Sequence, residues 1–325
     1  MDWFRFSFPD FAFAFLSVLF EGVPFLLLGS LISGFIDVFV SSERISKILP
    51  KNPVAAALVS GLLGLVFPMC ECGSVIIIRR FIRKGLPLSS ATAYMLAAPI
   101  VSPIVALSTW AAFSAQSQNP LAWVVLRLGI GYALAVGVAL IVQRLPADRI
   151  LQNANAAGPT RRGGLNVALA PAGESQDFSN LVATARFPKK LLLSIQSATA
   201  DFLDVAFFFV IGVAITSVFN TAISREALAP LAQSTPLAIV SLMGLAALIA
   251  LCSTTDAFVA WTFTAFPPQA KLAFLLFGPL FDLKLFWLYG LIFKRRFVTL
   301  LALGLFVVIA VLCWRIPTDV FLSGN

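Results

Sequence analysis

Eight apolar runs, most of them long enough to cross a bilayer, leave this chain little choice of fold. They fall at roughly 11–40, 53–78, 86–113, 121–142, 191–219, 235–263, 270–293 and 297–314. About 20 apolar residues in helical form cover the hydrocarbon core. The runs are long and lack period-2 alternation, so helices are expected rather than barrel strands. Only 12% of the 325 residues are charged, against roughly 25% in a soluble domain. The expected fold class is all-α: a polytopic membrane protein of about eight transmembrane helices, some of them broken or re-entrant.

Composition removes several functions. The chain has no histidine, which excludes His-based triads, His-liganded zinc and His proton relays. The net charge of +8 comes from basic residues gathered at the ends of apolar runs. That is the pattern of topology signals and headgroup contacts, so the bilayer, and not nucleic acid, is the expected partner. Three of the four cysteines lie inside apolar runs and Cys313 lies near a run's end, unlike a secreted disulfide framework. Cys313 reads as a small hydrophobe. Met1-Asp2-Trp3 lacks a basic start and no small-residue cleavage site follows the first run, which is expected to be the first span. No phosphate-binding loop is present, so the chain itself is not expected to hydrolyse ATP. Neither an enzyme class, a cofactor nor a resident metal is expected.

The chain divides into residues 1–143, a hydrophilic linker 144–190, a second apolar block 191–315 and a tail 316–325. The linker carries Ala156-Ala157-Gly158-Pro159 and Arg161-Arg162-Gly163-Gly164, a flexible composition. The two blocks resemble each other in order. Glu21, Gly29 and Pro53 match Asp204, Gly212 and Pro236; Cys70 and Ser74 match Cys252 and Asp256; Pro87, Pro99 and Ser102 match Pro267, Pro279 and Asp282. Two related halves with paired interruptions are a transporter pattern. With a cytoplasmic N-terminus and eight crossings, Arg79–Lys84 and the linker lie inside, but Lys294-Arg295-Arg296 lies outside, against the positive-inside rule. If 53–78 and its counterpart are re-entrant hairpins, the span count changes and the halves become inverted.

The interruptions carry the chemistry. Phe67-Pro68-Met69-Cys70-Glu71-Cys72-Gly73-Ser74 places a carboxylate and two thiols where a span should hold hydrocarbon. An ionisable group there costs about 2.5–3.5 kcal/mol on insertion scales, and broken backbone is tolerated only inside protein or beside a watery cavity. Pro68 and Gly73 permit the unwinding that Cys70 and Cys72 need in order to converge. Thiols without imidazole suit a thiophilic centre. The second interruption, Cys252-Ser253-Thr254-Thr255-Asp256, adds a thiol, hydroxyls and an acid. In an unbroken helix Cys252 and Asp256 would share a face. Substrate-binding candidates are therefore Cys70, Glu71, Cys72, Ser74, Ser102, Cys252, Thr254, Thr255 and Asp256. Glu21 and Asp204, with Asp201 one turn earlier, are either proton carriers or acids near the membrane surface. Asp282 and Lys284 are either coupling groups or a structural ion pair. The cluster Arg79-Arg80-Phe81-Ile82-Arg83-Lys84 marks a cytoplasmic span end and is expected to face solvent or headgroups.

The segments Phe-Pro-Met-Cys-Glu-Cys-Gly-Ser-Val, Leu-Ala-Ala-Pro-Ile-Val-Ser-Pro and Cys-Ser-Thr-Thr-Asp-Ala-Phe, in that order, resemble the signatures of the ArsP/YraQ-type predicted permeases. The resemblance spans nearly the whole chain outside the linker and tail. It implies a multi-pass permease of the bacterial inner membrane, with Cys70, Cys72 and Cys252 as thiols for a small-molecule or metalloid substrate such as a trivalent organoarsenical. Proton-coupled export is the leading expectation. A carrier or channel for a transition metal ion or small anion, and a membrane thiol–disulfide relay, are the alternatives.

Overall fold

A computed structural model describes residues 7–39, 50, 52–114, 119–152, 187–222, 232 and 234–322. The flexible connector expected in the middle of the linker lies outside these residues. The described chain is helical and carries no strand.

The elements come in a repeated order. First are α1 (Phe8–Phe39), α2 (Pro53–Leu62), α3 (Glu71–Arg83), α4 (Leu88–Ala97), α5 (Pro103–Ser114) and α6 (Pro120–Gln143). After a short α7 (Ala147–Ile150) the order recurs as α8 (Phe187–Ala222), α9 (Thr235–Ile249), α10 (Asp256–Thr262), α11 (Pro268–Leu280), α12 (Leu283–Tyr289) and α13 (Arg295–Arg315). A last turn, α14, covers Asp319–Leu322. Local chemistry sets several starts. Asn52 and Asn119 cap α2 and α6 through their side-chain oxygens, with proline at the first helical position. Ser102 and Asp282, matched in sequence, both cap the second piece of a broken run: Ser102 Oγ accepts from Ile104 N at 3.3 Å, and Asp282 Oδ1 from Leu285 N at 2.7 Å.

Neighbour contacts fix the chain's direction. Ala57, Ala93 and Ala139 pack together. A Cβ on Gly61 would lie 3.7 Å from Ala97 Cβ, and one on Gly64 would lie 2.8 Å from Ala98 Cα. Hence α2 runs parallel to α4. Ser74 Oγ, at the start of α3, reaches Met95 O at the end of α4, so α3 runs antiparallel to both. The run 53–78 is therefore a hairpin that enters and turns back. By contrast α4 and α5 continue one another along α6: Gly131 meets Ile100, Arg127 meets Thr109, and Trp123 stacks on Phe113 at 4.1 Å. This is one broken crossing.

The second set is built the same way. Along α13, Gln269 meets Ile316 and Phe277 meets Phe306, so α11 and α12 form a broken crossing. The end of α9 meets the end of α11 at Ala246 and Gly278, while Phe263, just beyond α10, packs edge-on to Phe274. Each set thus contains a crossing, a hairpin, a broken crossing and a crossing. An odd number of crossings inverts the second set.

Inversion is visible where α1 and α8 pack antiparallel. Gly22 faces Phe209, Ser33 meets Asp201, and Gly34 faces Ser194. A Cβ on Gly34 would fall 2.3 Å from Ser194 O, so close backbone approach depends on glycine there. At 32 and 36 residues, about 48 and 54 Å at 1.5 Å per residue, both helices exceed the hydrocarbon core.

With this path, Arg79, Arg80, Arg83, Lys84, Arg144, Arg149, Lys189, Lys190 and Lys294–Arg296 all fall at one end of the bundle, and Lys271 and Arg315 at the other. The turn before α13 also meets the chain after α6 there, through Lys294 N to Ile150 O and the Lys294 Nζ contact with Asp148 O. The positive-inside rule makes that end cytoplasmic. Lys294-Arg295-Arg296 then lies inside, and α1 starts outside, opposite to the eight-crossing expectation. The reason is that each hairpin returns the chain to the side it came from.

Candidate functional site

The two hairpin tips meet near the middle of the bundle. In the first, α2 ends in a tight turn over Leu63–Leu65 and the chain passes through a bend to Cys70, which caps α3 by accepting from Gly73 N at 3.4 Å through its sulfur. Glu71 then occupies the first helical position, where the exposed amides and helix dipole favour a negative charge. In the second, α9 ends at Ala250 in the left-handed region (φ 51, ψ 50), and Asp256 takes the first position of α10. Matching interruptions thus become matching half-helix starts, each opening on an acid.

The acids are bound by cations from the opposite set. Lys284 Nζ, at the start of α12, donates to Glu71 Oε1 at 2.9 Å and lies 3.3 Å from Asp282 Oδ2. Arg127 of α6 donates through Nη2 to both Asp256 oxygens at 2.8 and 2.7 Å and to Ser253 O at 2.8 Å, and through Nη1 to Thr109 Oγ1 at 2.7 Å. All five charged side chains are buried, with Arg127 at 0% exposure. Unpaired, any of them would be costly at this depth.

A small, partly open cavity lies beside the Lys284 pair. Its polar lining is Glu21, Glu71, Lys284 and the three thiols Cys70, Cys72 and Cys252; Phe25, Phe209 and Val18 supply apolar wall. Cys70, half-buried, and Cys72, buried, both line this space from the start of α3. Thr255 Oγ1 lies 3.5 Å from Glu21 Oε1, and Thr254 Oγ1 lies 3.6 Å from Cys252 Sγ. The thiols surround the space and do not meet at a point. Among the described residues, no three Cys, Asp or Glu side chains gather closely enough to hold a metal ion.

Other expected residues stand elsewhere. Ser74 Oγ bonds back to Glu71 O at 2.9 Å, and Ser102 serves as a helix cap. Asp256 is turned to Arg127 and does not line the cavity, because the chain is in a turn between Cys252 and Asp256, so the two side chains do not share a helix face. Glu21 and Asp204, matched in sequence, part company: Glu21 faces the cavity while Asp204 pairs with Arg79 at 3.0 Å. Nor does the basic cluster simply face headgroups. Arg80 is buried and reaches Asp201 Oδ2 at 2.7 Å, Ser197 Oγ at 2.9 Å and Asp37 at 3.2 Å, while Lys84 Nζ donates to the Ile36 and Asp37 carbonyls. This network ties α3 to α1 and α8 at the basic end of the bundle. Cys313 is buried within α13 in the core, as expected of a hydrophobe.

Arg127, Asp37 and Ser197 are the buried or part-buried partners that sequence reasoning missed. A lone arginine in the middle of an apolar run was the available signal for Arg127.

Two inverted sets whose half-helix tips enclose a polar, thiol-lined cavity at membrane depth define a membrane permease of the multi-pass kind, here in the bacterial cell membrane. The chain belongs to the predicted-permease family ArsP_1, whose model matches residues 8–316. It is 33% identical over 296 residues to the UPF0718 protein YcgR of Bacillus subtilis, covering 91% of this chain and 92% of that one. It is 29% identical over 285 residues to a Streptococcus mutans protein named "Putative two-component membrane permease complex subunit", covering 87% of each. No solved structure matches it.

Proposed function

We propose that this permease is a secondary exporter of a small thiophilic solute, a trivalent organoarsenical being the type of cargo, driven by proton exchange. The observation that carries the reading is the convergence of Cys70, Cys72 and Cys252, from two hairpins 180 residues apart in origin, on one cavity that also holds Glu21 and Glu71. Trivalent arsenic is thiophilic in the same sense as soft metal centres. An organoarsenical bearing two hydroxyls can exchange each for a thiol: an As–S bond forms, an As–O bond breaks, and the hydroxyl leaves as water with the thiol proton. Release reverses the step. No net proton is consumed, so coupling falls to the carboxylates, foremost Glu71 and Glu21 at the cavity, with Asp282 behind Lys284. Asp256 positions the second tip through Arg127. Because Cys252 belongs to one hairpin and Cys70 and Cys72 to the other, a bound arsenical would bridge them and sense their separation.

Uptake of a trivalent methylarsenical into inside-out proteoliposomes tests the reading. Wild type accumulates it under a proton gradient, while Cys70→Ser and Cys252→Ser, folded to the same degree, lose most of the rate. Equal rates in wild type and both variants, or no uptake by wild type, would refute it.

A further inference from the structure

Lys284 sits where a free cation would be at home. Its Nζ lies 2.9 Å from both Glu71 Oε1 and Ala250 O, 3.3 Å from Asp282 Oδ2 and 3.5 Å from Leu251 O. Two carboxylates and two main-chain carbonyls therefore converge from three places: the start of α3, the end of α9 and the start of α12. Unwound carbonyls at the end of a half-helix are the groups with which transporters coordinate monovalent cations.

Two independent features separate this cage from an incidental ion pair. Ala250 is the one described residue other than glycine with positive φ, a conformation disfavoured by its Cβ, and it is the residue whose carbonyl meets the ammonium. Glu71 is buried at 1% exposure, yet its Oε2 has no hydrogen-bond partner, so the cage has an acceptor to spare. The other titratable groups around it include Glu21 on α1, Tyr289 on α12 and the thiols of Cys70, Cys72 and Cys252. With Glu71 and Asp282 ionised, the cage carries two negative charges against one positive and retains whatever cation fills it. The lysine's backbone is held in place by α8, where a Cβ on Gly212 would fall 2.9 Å from Lys284 Cα.

We infer that Glu71, Asp282 and the Ala250 and Leu251 carbonyls form a monovalent-cation site whose resident cation is the chain's own Lys284 ammonium, and that this tethered cation ties the tip of the first hairpin to the tip of the second. A free sodium ion then has no place in the wild-type cycle, and the hairpins separate only when the ammonium leaves Glu71 or the Ala250 and Leu251 carbonyls. The inference concerns the cage and stands whatever the cargo.

Lys284→Ala empties the cage without removing its oxygens. Purified wild type and Lys284→Ala are unfolded thermally in choline, sodium and ethylammonium chlorides at equal ionic strength. The variant is expected to melt below wild type in choline and to regain stability with rising sodium or ethylammonium, as a ligand bound only by the folded state requires, while wild type responds equally to all three. A variant that behaves alike in the three salts overturns the inference. Should Lys284→Ala not accumulate, Glu71→Gln provides the second test. It keeps the lysine but weakens the tie, and is expected to raise the rate at which a maleimide labels Cys252 several-fold; an unchanged rate also overturns the inference. Neither readout needs an arsenical, so the cage and the cargo fail separately.

Discussion

Replacing Arg127 with methionine strands Asp256. The aspartate is 2% exposed and loses two charge-assisted hydrogen bonds of 2.8 and 2.7 Å, while Ser253 O loses its donor. Breaking a buried pair by removing one partner costs about 3–5 kcal/mol, because the other charge is left uncompensated. At about 1.4 kcal/mol per factor of ten, that is two to nearly four powers of ten in the folded-to-unfolded ratio. Asp256→Leu strands Arg127 at comparable cost. The double variant Arg127→Met/Asp256→Leu removes both charges and buries apolar groups of similar size, so most of the loss should return. The assay is reversible unfolding of the purified protein by titration with sodium dodecyl sulfate in mixed micelles, followed by tryptophan fluorescence. The reasoning fails if the two single losses simply add in the double variant, with a coupling below about 0.5 kcal/mol, the scatter expected of independent sites.

Further outcomes follow from the packing and the chain path. Gly34→Ala places a Cβ 2.3 Å from Ser194 O and 2.9 Å from Ala198 N, so α1 and α8 must part and folded yield should fall sharply. Gly129→Ala, where nothing lies within 4 Å, should leave yield unchanged, and equal yields would contradict the packing. Single cysteines placed at Asp148, Lys189 and Arg296, in a background with the native thiols replaced by serine, should react with an impermeant maleimide only from the cytoplasmic side, and a cysteine at Asp319 only from outside. Labelling of 189 and 296 from opposite sides would restore the eight-crossing path. Cys313→Ala should retain wild-type transport, since Cys313 lies in the core and does not line the cavity; loss of transport there at normal yield would undo the assignment of the thiols. Arg80→Ala should raise cytoplasmic labelling of Cys72, because the link from α3 to Asp37 and Asp201 is gone.

Much of the architecture is legible in the residues, because it depends on composition and local rules. Apolar length requires helices, and a proline or glycine beside an acid marks where helices break. The matched positions Ser102 and Asp282 mark the same break twice, although their capping task, in place of the substrate-binding and coupling roles expected of them, came only from the structure. The thiols Cys70, Cys72 and Cys252 could be picked out for the same reason: each stands at an interruption, and unwound backbone at membrane depth must face protein or a cavity. Beyond the Asp282–Lys284 pair, close in sequence, partner choice was not legible. Spacing along a chain decides only which side chains share a helix face, and it misleads where the helix is broken, as between Cys252 and Asp256.

What the sequence by itself determined is the solvent, the helical class, the duplicated breaks and the residues placed at them. What only the tertiary structure decided is direction and pairing. Whether 53–78 crosses or turns back depends on how α2 lies against α4, a contact between segments whose apolar composition suits either path. Whether Glu71 is a bare acid or one arm of a cation cage depends on Lys284, 213 residues away. At that separation, electrostatics in a low-dielectric interior select the partner, and the selection exists only once the helices are packed.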